Sequence, residues 1–237
     1  SENVRIEGLS VDYDYPWTFE GEILSNDPVN KSFVLKAFPD NKYRVEDGRL
    51  LFGGYDWEYP MGECIVFDPR TRRPYYNTAA YEHGYWAGEM KARELGDGVI
   101  EFSNVIAREM PPVGSVWDDK GPFGRNRSYP GIAILSSKNV IVEDVHVYRS
   151  GAMALIAEYS ENITVSGFST AAREGSRRMV TASADATHFV DCKGLVTLEG
   201  CRFESMLDDA TNIHGIYMRV DSVLTPTVFM AKFGHFQ

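Results

Sequence analysis

The stretch NVIVEDVHVYRSGAMALIAEYSENITVSGF, Asn139 to Phe168, decides how this chain is read. NVIVEDV starts at Asn139 and NITVSGF at Asn162, so a strand motif recurs after 23 residues. Two more segments align with it, NVRIEGL from Asn3 and LVTLEGC from Leu195. Each sets branched apolar residues at alternate positions: Val4 and Ile6, Val140 and Val142, Ile163 and Val165, Val196 and Leu198. That alternation turns one face of every strand inward. Short strands repeating at this period, with Asn before them and Gly or Asp after, indicate a stacked coil, here a parallel β-helix. In such a coil Asn139 and Asn162 sit at the turn, where stacked side-chain amides satisfy backbone groups of successive laps. The step from Ile163 to Val196 is 33 residues, and AAREGSRRM, Ala171 to Met179, is the extra material. Insertions of that kind form loops on one face of a coil. An antiparallel sandwich is the competing architecture.

Between Tyr13 and Tyr129 the repeat disappears and hairpin signals replace it. YRVEDGRLLF turns at Asp47-Gly48 and ARELGDGVIEF at Asp97-Gly98, each a turn dipeptide between strand-like flanks. Phe33 to Leu35 and Cys64 to Phe67 are further strand candidates, with Pro69 closing the second. The expected fold class is therefore all-β: a parallel β-helix carrying an inserted antiparallel β domain of small-barrel type. The expected divisions are a first visible lap over 1–14, the inserted domain over 15–129, resumed laps over 130–216, and a further β segment, cut short, over 217–237.

The chain's 237 residues carry a formal net charge of −10. Nucleic acid is excluded as a partner, because phosphate binding calls for a basic stripe. No uninterrupted apolar run is long enough for membrane insertion. RTRR, Arg70 to Arg73, is the densest basic cluster and reads as a solvated loop after Asp68-Pro69. Three cysteines are too few for a disulfide framework. Cys192 and Cys201 flank the strand around Val196, which separates them by on the order of 20–30 Å. Both are expected to face the core. No cluster of Cys or His suggests a metal. The first residues lie in mid-lap without a signal peptide or capping helix, so a piece of a longer protein is expected.

Asp185 is followed 23 residues later by Asp208-Asp209, the same step as the strand motif. If one lap separates them, the carboxylates line successive turns of one wall and meet at a shared, water-filled groove. The run TASADATHFVDCKGLVTLEGCRFESMLDDATNIHG, Thr181 to Gly215, resembles the catalytic laps of the family 110 glycoside hydrolases. These are bacterial exo-acting α-1,3-galactosidases with a right-handed parallel β-helix and inserted β-barrel domains. The similarity extends over most of the chain and is most specific at ADATH and LDDATNIHG. It implies that Asp185, Asp208 and Asp209 are the catalytic carboxylates and that hydrolysis inverts the anomeric centre. It further implies a substrate oligosaccharide or glycoconjugate with terminal α-1,3-linked galactose, blood-group-B-type or linear, and a secreted, periplasmic or cell-surface location. A homodimer is compatible with it. No cofactor is implied, since proton transfer between carboxyls and water completes the reaction.

Chemistry adds a constraint. An inverting pair stands roughly 6.5–9.5 Å apart, whereas direct neighbours on stacked strands are about 4.8 Å apart. A stacked pair alone therefore cannot be acid and base, and a third, laterally displaced carboxyl is required. Asp208 is assigned here as the acid, with Asp185 and Asp209 holding the nucleophilic water; the roles could be exchanged. Asp208 and Asp209 would face opposite ways in a regular strand, so a bulge or turn is expected there. His188, Asn212 and His214 lie close enough to contact sugar hydroxyls, although His188 also fits a core position. Arg173, Arg177 and Arg178 fall in the insertion and read as solvated. So do the adjacent Asp118 and Asp119, which are assigned a structural part. Among the aromatics Trp57, Trp86 and Trp117 lie in or near the inserted domain, where core packing is the default. Two other functions compete. A polygalacturonase builds its site from one Asp and an Asp-Asp pair, but its NTD, GHG and RIK motifs are missing here. A non-catalytic glycan-binding β-helix would keep affinity and have no turnover.

Overall fold

The structure is a computed structural model that describes residues 1–82 and 89–234; Trp86 lies outside the described residues. The chain is all-β. Three four-stranded parallel sheets are built from strands that recur in the same order along the chain. The first wall stacks Glu2–Glu7, Lys138–Glu143, Glu161–Ser166 and Lys193–Glu199. The second stacks Ser10–Val11, His146–Val147, Ser169–Thr170 and Arg202–Phe203. The third stacks Ile132–Leu135, Leu155–Glu158, Thr187–Val190 and Thr211–His214. The alternating residues meet in register, Val4 beside Val140, Val140 beside Ile163, and Ile163 beside Val196. Their side chains join Val145, Val147, Leu155, Phe168 and Phe189 in one core enclosed by the walls.

The asparagines do what their position requires. Asn3, Asn139 and Asn162 all have left-handed backbones, with φ of 56°, 53° and 55°, a conformation that Asn tolerates better than most residues. Asn139 Nδ2 donates to Asn3 Oδ1 at 3.0 Å and Asn162 Nδ2 to Asn139 Oδ1 at 3.2 Å. The ladder ends when Leu195 N donates to Asn162 Oδ1 at 3.1 Å. Gly194 takes the fourth place, at φ 72°, and a Cβ there would lie 2.2 Å from Asn162 Oδ1. Cys192 and Cys201 are unpaired and half-buried against the same core, donating to the carbonyls of Ala157 and Val165. Burial pushes the Cys192 thiol pKa up.

Residues 19–119 build the inserted part. Both Asp-Gly hairpins form, Lys42–Glu46 with Arg49–Gly53 and Lys91–Gly96 with Val99–Ser103. Asp47, Gly48, Asp97 and Gly98 all have positive φ, the turn whose twist matches paired strands. Among the described residues the strands of the expected barrel-type domain do not close into one ladder. Seven strands lie in one sheet running from Lys91–Gly96 at one edge to Arg73–Pro74 at the other, and Lys42–Pro60 supplies a separate three-stranded sheet. The two sheets share one core, in which Leu50, Phe52 and Tyr59 of the small sheet meet Phe19, Phe33, Ile100, Phe102 and Trp117 of the large one. Burial is achieved by facing sheets, so closure of the ladder is unnecessary.

Three residues read as solvated belong instead to a buried junction between this part and the parallel walls. Asp118 and Asp119 are fully buried on the strand Val116–Asp119, not in a turn. Arg178 is 5% exposed and donates to Thr18 O at 2.8 Å and Thr18 Oγ1 at 3.0 Å. Its guanidinium lies 3.2 Å from Glu20 Oε1. The Glu20 carboxylate also accepts from Met179 N at 2.7 Å and Val180 N at 3.0 Å. Burial raises the Glu20 pKa, opposed by Arg178 and those amides. Asp118 stands opposite Glu20 in the ladder, and burial followed by the Glu20 charge pushes its pKa well above the usual carboxylate range. Neither Asp118 oxygen accepts a well-formed hydrogen bond; the Thr18 hydroxyl, already engaged by Arg178, is near enough to temper the shift. Two buried carboxyls thus face each other, with Arg178 paired to Glu20 and, at 3.4 Å, to Asp40. Arg173 and Arg177 remain at the surface, paired with Asp12 and Glu22.

Candidate active site

The acidic residues lie where the chain enters the third wall. Parallel bridges join Ser150 to Ala182 and Ala182 to Met206. Three residues further on, Ala154 N donates to Asp185 O at 3.0 Å and Ala186 N to Asp209 O at 2.9 Å. Met153, Asp185 and Asp209 therefore form one column. The partner of Asp185 is Asp209, 24 residues on, because Thr187 pairs with Thr211. Asp208 lies beside the column, in the bend that precedes the strand Thr211–His214.

The three carboxylates have unlike surroundings. Asp208 and Asp209 are exposed, whereas Asp185 is 1% exposed, so it does not line an open groove as expected. The segment Arg125–Tyr129, the return from the inserted part, meets this corner at two points. Ser183 Oγ donates to Asn126 O at 2.7 Å, and Arg127 forms an ion pair with Asp208. The small residues Ala182, Ala184 and Ala186 let this corner pack closely. Arg127 was invisible as a site residue in the sequence because nothing in GRNRS relates it to an acid 81 positions away.

His188 and His214 extend the corner into a chain of contacts. His188 Nδ1 meets Asp185 Oδ2, His188 Nε2 lies 2.9 Å from His214 Nε2, and His214 Nδ1 lies 2.7 Å from the Gly215 carbonyl. Protons can be assigned from the partners. The carbonyl only accepts, so His214 Nδ1 donates. One proton must lie between the two Nε2 atoms and one between His188 and Asp185. Asn212 pairs with His188 in register and lies on the same face as His214. Thus the structure joins Asp185, His188 and His214 directly, sets Asn212 beside them, and brings Asp208 and Asp209 to the surface ahead of the neighbouring strand. Among the described residues no group of three or more His, Cys, Asp or Glu could hold a metal ion, and no helix is long and apolar enough to cross a membrane.

Residues 19–116 match the family described as GLAA-B beta-barrel domain I. Alpha-1,3-galactosidase A of Shewanella woodyi is 30% identical over 243 residues, covering 100% of this chain and 38% of the relative. Alpha-1,3-galactosidase B of Akkermansia muciniphila is 32% identical over 240 residues, covering 100% of the chain and 29% of the relative. Alpha-1,3-galactosidase A of Bacteroides fragilis is 28% identical over 235 residues, covering 99% and 37%. The chain therefore spans between about a quarter and two fifths of the length of these relatives. It is a homologue, along its whole length, of the α-1,3-galactosidases A and B, the relatives that its resemblance to the family 110 glycoside hydrolases implied.

Proposed function

We propose that this chain is the acid-bearing part of an exo-acting glycoside hydrolase that removes terminal α-1,3-linked galactose with inversion, and that its three parallel walls are laps of a right-handed parallel β-helix. The hand follows from the rule for crossovers between parallel strands. The observation that carries the reading is the column of Asp185 over Asp209 with Asp208 displaced beside it. One lap separates the stacked pair by about 4.8 Å, so they serve together on the attacking water while Asp208 protonates the leaving oxygen across the gap that inversion needs. Arg127 must release Asp208 for that step, because a carboxylate held by a guanidinium has no proton to give. His188 occupies Asp185 Oδ2 and leaves Oδ1 for water. His214 and Asn212, on the same face, are apt for sugar hydroxyls. The substrate class is a blood-group-B-type or linear glycan, reached outside the cytoplasm by a secreted or surface-held protein.

The test is galactose release from galactosyl-α-1,3-galactose by the full-length protein and by its Asp185→Asn, Asp208→Asn and Asp209→Asn variants. Loss of turnover in each variant with the disaccharide still bound supports the reading. A wild-type protein that binds the disaccharide without releasing galactose, or releases sugar from polygalacturonate instead, overturns it.

A further inference from the structure

A second concave site, which includes none of the acids, lies where the first lap leaves for the inserted part and returns. Tyr13, Asp14, Tyr15, Trp17, Tyr55, Asp56, Trp57 and Tyr129 line a cavity of about 270 Å³, near the lower end of small-molecule sites. Its rings are ordered. Trp57 and Tyr129 both stack on Trp17, with centroids 4.3 Å and 4.4 Å away and interplanar angles of 17° and 21°. Trp17 lies flat against Gly151, where a Cβ would come within 2.5 Å of the indole. Tyr15 meets Tyr55 edge to face at 5.1 Å. Tyr55 is 75% exposed and Tyr129 40%, so aromatic surface faces solvent although the two-sheet core close by could have taken it up. Trp17 is 7% exposed, and its indole N–H has no acceptor among the described residues. It is a buried donor that the fold leaves unsatisfied, on a residue that lines the cavity.

We propose that this cavity binds one pyranose ring of a neutral glycan. The chemistry is that of a sugar: aromatic rings for the C–H face, and two exposed carboxylates, Asp14 and Asp56, to accept from hydroxyls at the rim. A quaternary ammonium is the other ligand that aromatic cages take. Here Lys42 already fills the cation's place, with Nζ 5.3 Å from the centroids of both Tyr15 and Tyr55 and donating to Gly54 O at 2.6 Å.

The position relates the cavity to the acidic corner. Gly131 N donates to Met153 O, so Pro130 heads the column that continues through Met153 and Asp185 to Asp209. At about 4.8 Å per lap, Asp185 lies about 10 Å and Asp209 about 14 Å along that column from Pro130, the neighbour of Tyr129. The same connector pairs with Asp208 two residues earlier, at Arg127. A short oligosaccharide with its end at the acids therefore reaches the cavity with a later sugar. That placement rests on the galactosidase reading; the binding of a ring does not.

The test follows the indole N–H resonances of the full-length protein, labelled with ¹⁵N, while lactose is added and, separately, choline chloride. Trp17 and Trp57 are assigned by their single Phe substitutions. Lactose should move both resonances, and Tyr55→Ala, which removes an exposed ring, should weaken that response about tenfold with an unchanged melting temperature. Resonances that ignore lactose, a response to choline alone, or a response that Tyr55→Ala leaves intact would each overturn the proposal. Because binding is read without turnover, a protein that binds here and hydrolyses nothing would refute only the galactosidase reading. One that hydrolyses galactosides without any indole response would refute only this one.

Discussion

Arg178→Met tests the junction that holds the inserted part to the parallel walls. Met keeps much of the side chain's apolar length and removes the guanidinium, which bonds Thr18 O and Oγ1 and lies 3.2 Å from Glu20 Oε1. What remains is a Glu20 carboxylate with no exposure, held only by the amides of Met179 and Val180, and facing Asp118. Breaking one side of a buried ion pair costs about 3–5 kcal/mol, and part is recovered if Glu20 takes up a proton. We expect a loss of about 3 kcal/mol at pH 8, measured by urea unfolding. The sign of the pH dependence follows from the raised carboxyl. A folded-state pKa above the unfolded value means no penalty below the ordinary carboxylate range and a growing one as pH rises towards the raised value. The loss should therefore shrink between pH 8 and pH 4. Adding Glu20→Gln should restore about half of it, since no charge is then stranded. A loss under about 1 kcal/mol at pH 8, or one that grows on acidification, would refute this account of the junction.

The Asn ladder predicts that Gly194→Ala loses about 2–3 kcal/mol in urea unfolding, from a left-handed backbone and a displaced Asn162 amide; a neutral result would show that the ladder is dispensable. Asp185→Asn should cut turnover of galactosyl-α-1,3-galactose by about 10²–10⁴ with little change in disaccharide affinity, and a change confined to KM would remove Asp185 from the chemistry. Cys192, its thiol raised by burial, should react with a thiol reagent at pH 8 more slowly than free cysteine; faster reaction would contradict the placement of its sulfur.

The parallel walls were legible because their signals are local and repeated. Val140 and Val142, Ile163 and Val165, and the asparagines ahead of them encode strand, turn and period together, and the register between neighbouring strands follows. The Asp-Gly hairpins were legible for the same reason. The buried junction was not. Asp118-Asp119 before Lys120-Gly121 has the composition of a solvated turn, and what buries it, Glu20 and Arg178, comes from strands and loops far along the chain. At the candidate site the sequence marked Asp185, His188, His214 and the Asp pair. The third wall steps by 24 from Thr187 to Thr211, one more than the 23-residue step of the strand motif on the first wall. The contacts of Asn126 with Ser183 and of Arg127 with Asp208 escaped the sequence reading altogether, coming from the far end of an insertion with no repeat to index it.

The most direct test of the central claim is the anomer first released when the full-length protein cleaves galactosyl-α-1,3-galactose, followed by proton NMR before mutarotation. A water held by Asp185 and Asp209 and a proton from Asp208 predict β-galactose as the first product. Initial α-galactose would mean a covalent, retaining route and would contradict the assignment of the stacked carboxylates to water.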